Sequence, residues 1–370
     1  MMYSFKQKQL ILITLLTFII MSASAQKYHS DKLITAASVG VYRPIGVSVS
    51  SDNRLFVSFP KQNENYQFGL TEIVNGERLP YPDAEWNKPK EAHNHFVSVQ
   101  DLFIDAQDFL WVLDSKPSSS GSIFGSSGKP TDGQFKLIKI NTKTNLVERI
   151  YTFEDLNKSK SGLNDVRVDI ENKLAYLSDP GQAAIVVLNL ETGTTHSVLN
   201  ETPYTLADSS VVLSYERIEM RNKEGKPFMS NVNGIALTHD FKYLYFKPIN
   251  KTHLFRIETR YLADTTLNHQ VLRTKVEDMG EVGVTHGLIA DKKGNIYLTN
   301  SLDYTIKYLT PNGEMHTLVQ DSRLLWPDSL GIGTDGYLYF SCAQLARDPQ
   351  WNNGVNRIEP PYHVFKVKLP

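Results

Sequence analysis

Six residues stand at matched places along this chain: Ile45, Gln100, Asn164, Asn233, His286 and Asp328. Each is followed by a small or acidic residue (Gly46, Asp101, Asp165, Gly234, Gly287, Ser329) and then by an alternating apolar run. Five of the six donate, accept or ligate, at a register that core packing alone would fill with apolar side chains. His286 is the residue suited to carry a proton near neutral pH, and Asp328 would pair with it or with a cation. Gln100, Asn164 and Asn233 would orient a ligand. As a metal pocket, the oxygen donors suit calcium or magnesium, whereas His286 favours zinc or another transition metal. A purely structural reading stands beside these, in which the same side chains bond loops and channel water.

Other chemistry-bearing residues are scattered. His93-Asn94-His95 precedes the strand that holds Gln100. Alternate residues of an extended segment point to one side, so both imidazoles could converge, and His95 is a further ligand-binding candidate. Asp114 and Asp179 close strands and read as loop-capping carboxylates rather than acids. Cys342 is the only cysteine, so no internal disulfide is available, and its place in Tyr-Leu-Tyr-Phe-Ser-Cys reads as small and buried. Nucleophile-elbow, phosphate-loop, paired-cysteine zinc and HExxH patterns are missing from the sequence.

The elements that must position the six residues repeat with them. A polar turn followed by an aromatic and β-branched strand begins at Asp52, Gln107, Glu171, Asp240, Lys293 and Asp335. Turns such as Asp-Gly and Lys-Gly between alternating apolar runs are hairpin signals. Repetition at this spacing predicts an all-β, six-bladed β-propeller, whose inner strands line a channel and gather the six leading residues at one mouth. The first blade is expected over about 40–90, with inner strand Arg43–Ser50, and the fourth over about 230–275. The sixth blade is one strand short after His363–Leu369. Lys32–Ser38 would complete it, so that N- and C-terminal strands pair and close the ring. Pro117–Gly133, rich in Ser and Gly, reads as a loop, and Glu201–Ser230 as a long connection crossing one face.

Residues 1–25 read as a cleaved signal peptide: Lys6 and Lys8, an apolar stretch Leu10–Met21, then Ala23-Ser24-Ala25. Residues 26–370 would then form one exported propeller domain, extracellular or periplasmic and without stable membrane insertion. Losing the two lysines takes the formal charge from −1 to −3, which argues against a nucleic-acid partner. A monomer is expected.

Several stretches resemble the major royal jelly/yellow protein family: Gly46–Pro60, Val99–Ser115 with its Leu-Trp-Val-Leu-Asp core, Asn164–Gly193, Val232–Leu262 and Trp326–Tyr339. The likeness runs in order over nearly all of the chain after residue 25. It implies a six-bladed propeller and secretion. The insect members include proteins linked to dopachrome conversion, salivary binders of biogenic amines and nutritive proteins. This chain lacks their disulfide cysteines and looks like a bacterial-type member. A more distant likeness is to the gluconolactonase/senescence-marker propellers. Asn164 and Asn233-Gly234 match asparagines that hold a divalent metal there. The metal-binding Asp of that family falls at His286, and its first-blade Glu falls near Pro44–Ile45.

Three functions follow as expectations. The first is binding of a small cyclic, aromatic or catechol-like molecule in the funnel, with isomerase activity of the dopachrome-tautomerase kind through His286 and Asp328. The second is a divalent-metal-dependent lactonase with Asn164 and Asn233 as metal ligands. The third is a non-catalytic scaffold working through its long loops. The cofactor is accordingly none or a divalent metal.

Overall fold

Six tight turns set the architecture. Each contains one residue in the left-handed region, namely Asn53, Asp108, Lys173, Phe241, Gly294 and Gly336, with φ between 54° and 85°. Only two are glycine, so in the other four the strand pairing holds a backbone that most side chains avoid. The turns join inner to second strands: Val47–Val49 to Leu55–Ser58, Val99–Ile104 to Phe109–Asp114, Val166–Asp169 to Leu174–Asp179, Val232–Leu237 to Tyr243–Pro248, Thr285–Ala290 to Ile296–Asn300, and Pro327–Ile332 to Tyr337–Cys342. The computed structural model describes residues 28–61, 66–90, 93–115 and 135–370. The leader at 1–25 and the loop Pro117–Gly133 lie outside the described residues.

Each hairpin continues into a third and a fourth antiparallel strand, giving six four-stranded sheets. Their inner strands pack side by side in chain order, the sixth returning to the first. This is the six-bladed β-propeller that the repeat predicts. The ring closes as expected: Ile34–Gly40 pairs antiparallel with Tyr362–Lys368 and becomes the outermost strand of blade 6.

Two boundaries differ from the sequence expectation. The inner strand of blade 1 is only Val47–Val49, because Arg43 turns away to bond Asp348 and, at 3.2 Å, the hydroxyl of Tyr362. Blade 4 extends beyond 275. Short helices Thr259–Ala263 and His269–Arg273 precede its outer strand Glu277–Glu281. The second helix is started by the Asn268 side chain, which accepts from Val271 N at 3.0 Å.

The core lies in the seams between blades. One seam joins Trp111, Leu113 and Leu137 of blade 2 to Val168, Val186 and Leu188 of blade 3. Each fully buried large apolar side chain contributes about 1.5–3 kcal/mol. Cys342 is buried in the seam between blades 5 and 6, where burial pushes its thiol well up and leaves it inert. Among the described residues no helix is long and apolar enough to cross a membrane.

Candidate functional site

The leading residues sit on a repeated irregularity. Pairing between inner and second strands skips between Val99 and Asp101, Val232 and Ile235, Thr285 and Leu288, and Pro327 and Leu330. Each skip is a β-bulge, which re-aims side chains and ends regular pairing. Gln100, Asn233, His286 and Asp328 are bulge residues. Asn164 has the same geometry just before its strand, its N–H donating to Ser178 O at 2.9 Å while Ser178 N donates to Asp165 O. The followers are small for a steric reason in two blades. A Cβ on Gly234 would stand 2.2 Å from His286 O, and one on Gly287 would stand 2.1 Å from Asp328 O.

The five polar leading residues form one buried layer, between 1% and 8% exposed. Gln100 Nε2 donates to Asn164 Oδ1 at 3.1 Å, and Asn164 Nδ2 donates to Asp165 Oδ1 at 2.8 Å. Asn233 stands apart from that pair and donates to Ser230 Oγ at 3.4 Å. His286 and Asp328 do not bond each other. Both touch Trp326, whose indole covers the imidazole and donates its N–H to Asp328 Oδ2 at 3.1 Å. Trp326 has φ 56°, a strained conformation for a bulky residue. His286 Nε2 lies 2.7 Å from Ser301 Oγ and 3.4 Å from the hydroxyl of Tyr215, while its Nδ1 has no partner.

The electrostatics push acid and base apart. Burial, and secondarily the charge of Lys247, drives His286 well below its ordinary value, so the imidazole is neutral at pH 7. Burial, aided by the charge of Asp101, pushes Asp328 up to about 7 against the pull of the Trp326 N–H. Burial and Asp101 also raise Asp165 well above the carboxylate range, opposed by Arg167. One indole thus meets a neutral imidazole with its face and, through its N–H at the ring edge, a carboxyl raised to about 7.

Beneath the layer the channel is filled. Arg167 Nη1 donates to Asp101 Oδ2 at 3.0 Å in blade 2, and Nη2 donates to Leu288 O at 2.9 Å in blade 5. Ser329 of blade 6 donates to Asp101 Oδ1 at 2.9 Å. These bonds tie four blades together across the channel.

Above the layer lies a strap. The connection after blade 3 forms the hairpin Ser214–Tyr215 and Ile218–Glu219 over the mouth, through a turn with Glu216 and Arg217 both at positive φ. The expected crossing of one face by 201–230 is thus found. Tyr215 points inward and bonds Ser301 Oγ at 2.6 Å. Leu213, Met220 and Phe228 pack with Ile45, Trp326 and Leu345 in an apolar cap. Glu216 accepts from Arg347 at 2.7 Å and Arg357 at 2.5 Å, which clamps the strap to the segment after blade 6. A cleft at the rim is lined by Tyr215, Glu216, Tyr304, Trp326, Gln344 and Arg347. With the strap in place the layer is closed to solvent.

Other expected residues fall elsewhere. His95 bonds Asn94 and, at 3.3 Å, Glu85, on the rim of blades 1 and 2, and makes no hydrogen bond to the layer. Asp114 accepts from Val97 N and Ser98 N and pairs with buried Lys136 at 2.8 Å. Asp179 accepts from Gly162 N and Gln182 N, so both carboxylates cap loops. The Asn164 amide is engaged at both ends. Among the described residues no three His, Cys, Asp or Glu side chains converge on a metal-sized site. As arranged, Asn164 and Asn233 spend their amides on separate protein partners rather than on a common cage. Sequence reasoning missed Trp326, Tyr215, Ser301 and Lys247. Of these, Trp326 carried a signal, lying two residues before Asp328.

The description "Major royal jelly protein" belongs to a family model that matches residues 97–347. Protein yellow of Drosophila guanche is 25% identical over 240 residues, 60% of this chain and 40% of that protein. Protein yellow of Drosophila melanogaster is 24% identical over 238 residues, 60% and 42% of the two chains. The match therefore spans about two fifths of those relatives' length. Among solved structures, a gluconolactonase from Xanthomonas campestris has a TM-score of 0.55 at 11% identity, covering 94% of this chain and 93% of its own. Virginiamycin B lyase from Staphylococcus aureus has a TM-score of 0.52 at 14% identity, covering 92% and 99%. At such identities the likeness is one of fold.

Proposed function

The chain belongs to the major royal jelly protein family, and from that premise we propose that it is an exported propeller that binds a small cyclic, aromatic or catechol-like molecule in its mouth and isomerises it by moving a proton. The observation that carries this reading is the His286–Trp326–Asp328 group, a neutral imidazole on the face of one indole and, at its N–H edge, a carboxyl raised to about 7 and so partly protonated at neutral pH. A planar ligand would take the place of the Tyr215 side chain beside Trp326, where aromatic faces gain beyond their buried area. His286 Nδ1 would accept a proton from one ligand atom, and Asp328 would return one at another. Gln100, Asn164 and Asn233 would fix the ligand's polar edge.

The test is a thermal-shift screen of catechols, indoles and aromatic amines on the purified protein, followed by turnover assays on whatever binds. His286→Ala should retain the fold and lose turnover by 10²-fold or more, on the order of a removed general base. If a confirmed activity survives His286→Ala, the assignment of the base is wrong. A stoichiometric divalent ion that is lost in Asn233→Ala, with lactone hydrolysis abolished by chelator, would replace this reading with the metal hydrolase. Export predicts a secreted product beginning at Gln26, read by N-terminal sequencing.

A further inference from the structure

Opposite each inner-strand bulge the second strand offers one side chain, and in four blades it is a short hydroxyl: Ser58, Ser178, Thr299 and Ser341. These hydroxyls are spent locally. Ser58 Oγ takes Gly46 N at 2.7 Å and gives to Gln100 O at 2.8 Å; Ser178 Oγ takes Asp165 N at 3.0 Å. Thr299 Oγ1 takes Gly287 N at 2.8 Å, and Ser341 Oγ gives to Ile45 O at 2.6 Å. Blade 2 has Leu113 there. Blade 4 has Lys247, facing Asn233 and Gly234 across the gap between the Val232–Pro248 and Ile235–Phe246 pairs.

Lys247 is wholly buried. Its Nζ makes one hydrogen bond, to Pro248 O at 2.8 Å, and no Asp or Glu among the described residues pairs with it. A hydroxyl closes this seam in four other blades and a leucine in the remaining one, so folding does not require an amine, and burying one without an anion is costly. Burial, with the charge of Lys251, lowers the amine to about 7, so about half of it is free base at neutral pH and more above it. It lies close enough to His286 for its charge to be felt there, on the histidine whose Nδ1 has no partner. A buried, unpaired amine beside an open imidazole is the arrangement of a nucleophilic lysine.

We propose that Lys247 captures the carbonyl group of an aldehyde or ketone ligand in the propeller mouth as an imine. This rests on reading the mouth as a ligand pocket. The Nζ lone pair forms the N–C bond, and the displaced C=O pair takes one Nζ proton by way of His286, giving a carbinolamine. The protonated Asp328 gives its proton to the carbinolamine hydroxyl, the C–O bond breaks, and water leaves as the nitrogen lone pair forms C=N. Asp328 then recovers a proton from the iminium nitrogen. Amine and carbonyl thus become imine and water, with no oxidant or reductant. While protonated, the iminium acidifies the neighbouring C–H, which is what isomerisation of a cyclic carbonyl compound needs.

The experiment is reductive trapping. The purified protein is incubated at pH 7 with 3,4-dihydroxybenzaldehyde and cyanoborohydride, and labelled lysines are mapped by peptide mass spectrometry. Lys247 should acquire the label about tenfold or more ahead of any surface lysine, since the latter are almost wholly protonated at this pH. Lys247→Met should lose that label while still binding catechol, which has no carbonyl, in a thermal-shift assay. Trapping is repeated in Glu216→Ala, where the strap is unclamped. If Lys247 stays unlabelled in both proteins while surface lysines react, the proposal is overturned. If Lys247 is labelled but catechol shifts no melting temperature, the amine assignment stands and the aromatic-ligand reading falls.

Discussion

Trp326 lies face to face with His286, ring centroids 3.9 Å apart and planes 25° from parallel. The same indole holds Asp328 through its N–H, so one side chain shields the base and restrains the acid. Trp326→Phe separates these two roles. The stack survives, and Asp328 loses the hydrogen bond that opposes its upward shift. The carboxyl should then titrate above its present value of about 7, read by carboxyl-carbon NMR. The fold should lose roughly 1–3 kcal/mol for an unsatisfied buried acceptor. An unchanged titration would mean that the indole N–H does not set the acid.

Stability should depend on pH through Lys247. Its amine stands at about 7 in the folded chain and at 10.5 ordinarily, so between those values the unfolded chain holds more protons. Stability therefore rises with pH across that window, by at most about 3–4 kcal/mol between pH 7 and pH 10. Asp328 acts in the opposite direction and lower down. It is raised from 3.8 to about 7, so its contribution is present in acid and fades as pH rises through that interval. His286, held low, costs stability as pH falls below 6.5 and works against Asp328 there. Lys247→Met, close in volume, should be more stable than the parent at pH 7, with the gap closing by pH 10. Urea denaturation across that range checks it, and an unchanged slope would show that Lys247 is not the titrating group.

The Glu216 clamp should govern access rather than stability. Glu216 and Arg357 are each about a third exposed, and Arg347 keeps Glu359 as a partner, so breaking the contacts should cost about 1 kcal/mol. Glu216→Ala should nevertheless speed amide exchange at Tyr215 and Ile218 and raise the association rate of any mouth ligand. Equal exchange in both proteins would place the gate elsewhere.

Gly287→Ala should be among the most damaging single methyl additions in the chain. The new Cβ would meet the backbone carbonyl of Asp328, which has no rotamer to escape into. A loss of about 3 kcal/mol or more is expected, from overpacking against backbone. Thermal unfolding beside Gly76→Ala, whose turn is open but whose φ is 84°, separates the clash from the cost of the glycine backbone.

The repeat was legible because a turn followed by an alternating strand leaves the same mark in every blade. Register was legible for the same reason, and the leading residues Gln100, Asn164, Asn233, His286 and Asp328 do share a layer. The bulges were not, since two residues facing one leave no compositional trace. The strap was visible only as length: nothing in Ser214-Tyr215-Glu216 says that the tyrosine folds down onto His286 and Ser301. His95 bonds Asn94 and Glu85 rather than the layer, since alternation fixes direction within one segment and not what that direction meets. Lys247 was readable in principle. It breaks a column of Ser and Thr, which appears only when second strands, rather than inner ones, are set beneath one another.

The pairing of Ile34–Gly40 with Tyr362–Lys368 joins the first and last strands. Ile34–Gly40 must therefore wait for the more than 300 residues that separate it from Tyr362–Lys368 before it finds its partner. Until then no blade can complete the circle, and both strands have bare flanks open to strangers. Anything that delays the final seven-residue strand delays every contact across the axis at once.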